Sequence, residues 1–297
     1  MIFLNSRFGI LIVALVCSSL TNLSLAASKP DFASIRQQAI WSNATYLTED
    51  QIRQLSLASG YQLSAYQTLT DIQISYFLLT DEVSKTQIIA IRGTSNVENA
   101  MVNVNLKLVL DQVTQVYFHH GFSYSARQVF DELKPLLKKG YRIQTTGHSL
   151  GGAVAVILAA FLDSDGFDVD QVVTFGQPKV TNLTGAGKFK NLKITRVVTP
   201  KDLVPLVPLF DPLDINNIDI FWHVGTEIVL LEGNQYAVLE GVNSMLRATR
   251  FTQQLLTEEN LIHHQMALYL NLVEGKVESS EEVVLENDFN LFNLFGG

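Results

Sequence analysis

Gly147-His148-Ser149-Leu150-Gly151-Gly152 puts a serine between glycines, behind a strand-like run and ahead of a wholly apolar one. This is the G-x-S-x-G pattern of a strand–turn–helix elbow. The turn must be sharp enough to project the Ser149 hydroxyl from the sheet edge, and bulk at Gly147 or Gly151 would strike neighbouring backbone. The helix that follows would aim its first amides, and the positive end of its dipole, at a reacting carbonyl. By composition alone the pattern arises about 0.1 times in a chain of this length, and the flanking strand and helix lower that further.

A hydroxyl at its ordinary pKa is a weak nucleophile and needs a base. In elbows of this kind the chain order is serine, then an acid, then histidine. The histidines after Ser149 are His223, His263 and His264. Asp202 is a suitable acid because it follows the apolar run 194–198 after a short turn holding Pro200. Asp163, Asp165, Asp168 and Asp170 crowd one connection and read as solvated charges. Asp211, Asp214 and Asp219 stay open on spacing alone.

These residues need a frame. Apolar strand-like and helix-like runs alternate along the chain, which predicts an α/β fold in a single domain. Residues 72–79 and 87–91 read as hairpin-linked strands. Alternation at Val102, Val104, Leu106, Leu108 and Leu110 reads as a half-exposed strand. Residues 122–139 have helical spacing, 141–145 form the next strand, and 150–162 a buried helix. Runs 171–175 and 194–198 are core strands. Residues 227–231 and 235–239 flank Glu232-Gly233-Asn234 as a hairpin. Helical patterning over 245–256 and 261–273 closes the fold.

The chain has 297 residues, 47% of them hydrophobic, and a net charge of -8 from 21 basic and 29 acidic side chains. That balance disfavours a nucleic-acid partner and electrostatic docking on anionic membranes. Arg7 is the only charge in the first 28 residues, an apolar run spans 8–20, and Ser24-Leu25-Ala26 offers small residues for cleavage. Residues 1–26 are therefore expected to be a signal peptide, with the protein secreted or periplasmic. Cleavage would remove Cys17, the only cysteine, and with it any disulfide or thiolate metal site. Residues 27–275 are expected to form the catalytic domain. Residues 276–297 form a tail, acidic and then rich in Phe and Leu, that docks through its aromatics.

In chain order the sequence also holds Ile91-Arg92-Gly93-Thr94-Ser95, His119-His120-Gly121-Phe122, the elbow, and Thr174-Phe175-Gly176-Gln177-Pro178-Lys179-Val180. Thr199-Pro200-Lys201-Asp202-Leu203-Val204-Pro205, Trp222-His223-Val224-Gly225 and His264-Gln265-Met266-Ala267-Leu268-Tyr269 follow. Over roughly residues 46–269 this series resembles the class 3 lipases, the fungal-lipase-like branch of the α/β-hydrolases, in a secreted form of bacterial type. The resemblance implies an α/β-hydrolase fold, a central mostly parallel sheet flanked by helices. It implies Ser149 as nucleophile, Asp202 as orienting acid, His264 as general base, and the amides of Thr94 and Leu150 as the oxyanion hole.

The remaining histidines and Arg92 are then expected to serve the fold: His263 in a loop, His223 and His148 packed, His119 and His120 at the strand-to-helix turn. The implied activity is hydrolysis of acylglycerols through an acyl-enzyme, with a lipid or ester substrate and transient contact with a lipid surface. No cofactor and no metal are expected, and the sequence fixes no oligomeric state. A phospholipase, a short-chain esterase or acyltransferase, and a non-catalytic lipid-binding protein are the alternatives. The family's Trp and amphipathic lid are missing after Glu98-Asn99-Ala100-Met101, so the usual lid is not expected, and the apolar stretch 205–222 could serve as a substitute cover.

Overall fold

The computed structural model describes residues 29–94, 107–208, 220–249 and 257–285. The signal segment, residues 95–106 with most of the alternating strand and the lid position, most of the substitute cover, and the Phe-rich end of the tail all lie outside the described residues. The chain from Phe32 onward forms one compact unit.

Its centre is a sheet built from β1 (Gln62–Leu69), β2 (Ile74–Asp81), β3 (Thr86–Ile91), β6 (Arg142–His148), β7 (Asp168–Phe175), β9 (Ile194–Val198), β11 (Thr226–Leu230), β12 (Gln235–Leu239) and β13 (Glu281–Glu282). The order is β1-β2-β3-β6-β7-β9-β11-β12-β13. From β3 to β11 every neighbouring pair is parallel. The antiparallel pairs are β1–β2, β2–β3 and β11–β12, and β13 joins β12 in parallel. A second, antiparallel sheet holds β4 (Leu108–Leu110), β5 (Tyr117–His119), β8 (Thr181–Asn182) and β10 (Phe221–Trp222).

Helices cover both faces. On one side lie α3 (His120–Leu133) and α4 (Leu150–Ser164); on the other lie α1 (Phe32–Ala44), α2 (Glu49–Ala58) and α8 (Met266–Glu274). Strand alternation shows which face is which. Ile89 and Ile91 pack against α3 and α4, while Ile88 and Ala90 pack with Trp41 of α1 and Ile52 of α2. Helix α4 is buried from Gly151 to Leu162, as an all-apolar sequence requires. Burying each of its larger side chains contributes about 1.5–3 kcal/mol. The remaining helices are α5 (Leu183–Lys188), α6 (Gly241–Thr249) and α7 (Glu258–His263).

Two helical readings need correction. The run 122–139 stops as a helix at Leu133, followed by one tight turn, Lys134–Leu136. Pro135 is the cause, since it has no N–H to give and crowds the preceding turn. The run 261–273 breaks into α7 and α8 around His264 and Gln265, with Gln265 extended (φ -68°, ψ 130°). Between Lys276 and Leu285 the tail is tied to the body by the pairing of β13 with β12 and by the Lys276 side chain, whose ammonium donates to the carbonyls of Leu231, Gly233 and Leu272.

The β9–β11 pair carries a buried ionic cluster. Register sets Arg196 beside Glu227, and Nη2 lies 2.9 Å from Oε2. Glu227 also binds Arg247 Nε and accepts from Ser244 Oγ at 2.6 Å, both on α6. Burial alone would raise the Glu227 carboxyl, but the two guanidinium charges outweigh it and hold it below its ordinary value. Glu227→Gln leaves two buried cations short of a counter-charge and is expected to cost about 3–5 kcal/mol in urea unfolding. A loss under 1 kcal/mol would mean that the cluster is not the clamp between these strands.

Candidate active site

Four loops leave the carboxyl ends of adjacent parallel strands, where open α/β sheets place their functional crevice. Arg92-Gly93-Thr94 follows β3, Ser149 follows β6, Gly176 follows β7, and the turn carrying Asp202 follows β9. The backbone ladder continues into them: Ser149 N–H donates to Phe175 O at 2.8 Å and Gly176 N–H to Val197 O at 3.0 Å.

Ser149 sits at φ 58° and ψ -131° as the cap residue of α4, and its side chain makes no capping hydrogen bond. A non-glycine residue in that region stores about 1–3 kcal/mol of strain. The neighbours enforce it. A Cβ on Gly151 would stand 2.2 Å from the Ile91 carbonyl oxygen, and one on Gly147 would stand 2.5 Å from Gly151 backbone. The β3 loop thus presses on the elbow. Thr94 on that loop and Leu150 at the first position of α4 are both half-buried.

Among the sequence candidates, it is His264 that meets Asp202, with Nδ1 2.8 Å from Oδ2, and both are almost fully buried. Asp202 is held on both oxygens. Oδ1 accepts from the Val204 amide at 2.9 Å, and Oδ2 accepts from Tyr269 Oη at 2.5 Å. Burial, then the Asp202 charge and this bond, push the Tyr269 phenol well above its ordinary value, so it stays a donor. Among the described residues, Nε2 of His264 is buried and meets no hydrogen-bond partner.

The rivals lie elsewhere. His263 takes part through its carbonyl, which accepts from Thr199 Oγ1 at 3.1 Å. His223 is buried near Arg196, Lys179 and Arg247, and burial with those charges holds it well below the usual histidine value. His119 caps α3 by accepting from the Phe122 amide, and burial lowers it to about 4. Asp165 pairs with Lys134, and Asp170 with Lys193. Asp211, Asp214 and Asp219 lie outside the described residues. Among the described residues, no group of three or more His, Cys, Asp or Glu side chains could hold a metal ion.

Lys179, three residues past Gly176, fixes the far side of the acid loop. Its ammonium donates to the carbonyls of Leu206 and Pro208 at 2.7 and 2.9 Å. Burial, then Arg196 and Arg247, lower it from 10.5 to about 7. Over that window the unfolded chain binds a proton that the folded chain has shed, so stability rises with pH. The melting temperature of wild type relative to Lys179→Met is expected to climb from pH 7 to pH 9.5; a flat or falling difference would mean that the lysine is not depressed.

Tyr269 and Gly176 were not singled out in the sequence, although each sits inside a segment that was. Tyr269 follows His264 by five residues and reaches back to Asp202 across 67 positions. Only the fold shows that contact.

Known proteins resemble this chain in sequence and in fold. Residues 88–211 match the model of the lipase (class 3) family. A secreted mono- and diacylglycerol lipase of Fusarium solani is 34% identical over 120 residues, covering 38% of this chain and 36% of its own. The chain therefore spans only about a third of that relative's length. Among solved structures, the Lip2 lipase of Yarrowia lipolytica aligns with a TM-score of 0.56 and 24% identity, over 67% of this chain and 80% of its own. A triacylglycerol lipase whose catalytic centre is a serine protease triad aligns with a TM-score of 0.55 and 22% identity, over 70% and 83%. The structural likeness shows the α/β-hydrolase fold.

Proposed function

We propose that this chain, matched over residues 88–211 to the class 3 lipases, is a serine carboxylic ester hydrolase acting on acylglycerols. The observation that carries the reading is the buried 2.8 Å contact between His264 Nδ1 and Asp202 Oδ2, with the His264 ring 4.5 Å from that of His148, the chain neighbour of a serine held at φ 58°. Asp202 fixes the imidazole with Nδ1–H and leaves Nε2 as the base. Nε2 takes the Ser149 proton as the hydroxyl attacks the ester carbonyl. The amides of Thr94 and Leu150 receive the developing oxyanion, each worth about 3 kcal/mol in the transition state. The imidazolium then protonates the leaving alkoxide. Water repeats the sequence, and the carboxylate leaves.

The domain reading is a signal peptide at 1–26, the hydrolase at 27–275 and the tail beyond it. Export is supported by the leader pattern and by a relative that is a secreted protein in a fungus. That relative gives no support to a bacterial type.

The test is hydrolysis of p-nitrophenyl esters from acetate to palmitate, below and above their solubility limits, beside labelling with a serine-reactive phosphonate. Hydrolysis of long chains is the expected result, and a rise at the interface would mean a moving cover in spite of the missing lid. Preference for acetate without that rise would make it a short-chain esterase. Folded protein that neither labels nor hydrolyses any ester would overturn the enzyme reading in favour of lipid binding.

A further inference from the structure

His148 is the variable residue of the elbow, yet both its ring nitrogens are engaged. Nε2 lies 2.6 Å from the carbonyl oxygen of His264, and Nδ1 lies 2.7 Å from Tyr46 Oη. A carbonyl only accepts, so Nε2 carries the proton and donates. Nδ1 is then the acceptor, and the Tyr46 hydroxyl donates to it. One neutral tautomer satisfies both contacts. Burial, then the adjacent His264, hold His148 well below the usual histidine value, and the two rings lie 4.5 Å apart. A second charge there would oppose the imidazolium that His264 must become, so a neutral ring suits the position.

Tyr46 carries the connection further. It lies in the turn after α1, where the amides of Thr45, Tyr46 and Leu47 donate back to Ser42, Asn43 and Ala44. Its hydroxyl meets the backbone of Gly93 on the β3 loop; burial raises the phenol to about 12 against the opposing pull of Gly93 and Arg92. A Cβ on Gly93 would fall 2.9 Å from Tyr46 Oη and 3.0 Å from Ser149 Cβ, so the hydroxyl and the serine flank the same glycine. The residue as a whole is nevertheless 42% exposed. Its polar end is inside the site and its ring edge faces solvent. None of this serves sheet formation.

We infer that Tyr46 and His148 are positioning residues for the reaction. They form a hydrogen-bonded relay that seats the backbone of His264 and ties it to the Gly93–Thr94 loop, so that base and oxyanion donors keep one mutual geometry. The inference rests on the serine hydrolase reading above. Without the Tyr46 donor, Nδ1 is a buried acceptor left without its partner and the ring loses one of its two anchors. His148 then holds the His264 carbonyl less firmly, and the loop carrying the base shifts. Ground-state binding does not use these atoms, so the loss falls on kcat.

The test compares wild type with Tyr46→Phe, His148→Gln and His148→Leu on p-nitrophenyl butyrate, together with the rate of phosphonate labelling at Ser149. Tyr46→Phe is expected to lower kcat about tenfold, as the loss of one buried hydrogen bond does. KM should stay within about twofold, and labelling should slow in step with kcat. His148→Gln, whose amide can donate to the same carbonyl, should keep more kcat than His148→Leu. A Tyr46→Phe enzyme with wild-type kcat, or one changed only in melting temperature or KM, overturns the relay, as does equal loss in the two His148 variants. Wild-type protein that neither labels nor hydrolyses overturns the hydrolase reading itself, which the variants then need not decide.

Discussion

Ser149→Ala is expected to lower kcat/KM for ester hydrolysis by about 10⁴–10⁶-fold, and His264→Ala by a similar factor, with the double variant little worse than either. The near-equality follows from shared action. Without the base the hydroxyl is not activated, and without the hydroxyl the base has nothing to activate. What remains comes from binding and from the amides of Leu150 and Thr94, which neither substitution removes. Stability should move differently from activity. Ser149 stands at φ 58°, where alanine keeps the strain and glycine relieves it. Ser149→Gly should therefore be inactive yet more stable than Ser149→Ala by about 1 kcal/mol. Hydrolysis assays and urea unfolding on wild type and the four variants check both halves. Losses that multiply in the double variant would mean that the two residues act independently and are not a nucleophile and its base.

The sequence was most readable where one principle dominated. Residues 150–162 are apolar throughout, and 194–198 carry Ile194, Val197 and Val198 around Thr195 and Arg196; they form α4 and β9 close to the expected bounds. The hairpin of β11 and β12 follows from its Glu-Gly-Asn turn. Reading was hardest where buried polar residues interrupt the pattern. Helix α1 buries Gln38 and Ser42 along with Phe32, Ile35 and Trp41, so its apolar face is blurred and no element was assigned there. Gln38 is inside because its amide donates to Gln144 on β6 at 2.6 Å, a partner 106 positions away. Strand β1 is a half-exposed edge without clean alternation.

The site divides along the same line. The elbow is legible from spacing, which also offers Asp202 as an acid and three histidines as bases; only the resemblance picks out His264. Their supports cannot be read from spacing. Tyr46 meets His148 across 102 positions and Tyr269 meets Asp202 across 67. Each tyrosine looks locally like any amphipathic aromatic, and only tertiary closure turns its hydroxyl inward. The broken helix at His264 belongs here too. Patterning over 261–273 asks for one helix. The Thr257–Asn260 capping box and the Asn260 side chain bonded to Lys201 O fix α7 instead against the acid loop. His264 is thereby released at its end, facing Asp202.

The contact that makes this arrangement work also makes it fragile at a residue with no side chain. Gly176 has φ 58°, and a Cβ there would stand 2.9 Å from Asp202 Oδ2 and 2.9 and 3.0 Å from His264 Cε1 and Nδ1. It would press on both ends of the 2.8 Å bond at once. Retreat is blocked on every side: Val204 and Tyr269 hold the carboxylate, and the His148 ring lies against the imidazole. Gly176→Ala is expected to lower kcat by about 10²–10³-fold, since misplacing a catalytic group by about 1 Å has that scale of effect. Alanine at positive φ also costs about 1 kcal/mol anywhere, so the experiment needs a control for backbone strain. Gly60→Ala supplies it, with φ 81° and nothing within 4 Å of the added carbon. The two variants should lose similar backbone stability and differ in kcat. If Gly176→Ala retains the activity of Gly60→Ala, hydrolysis does not depend on the Asp202–His264 bond, and the acid must be sought at another position.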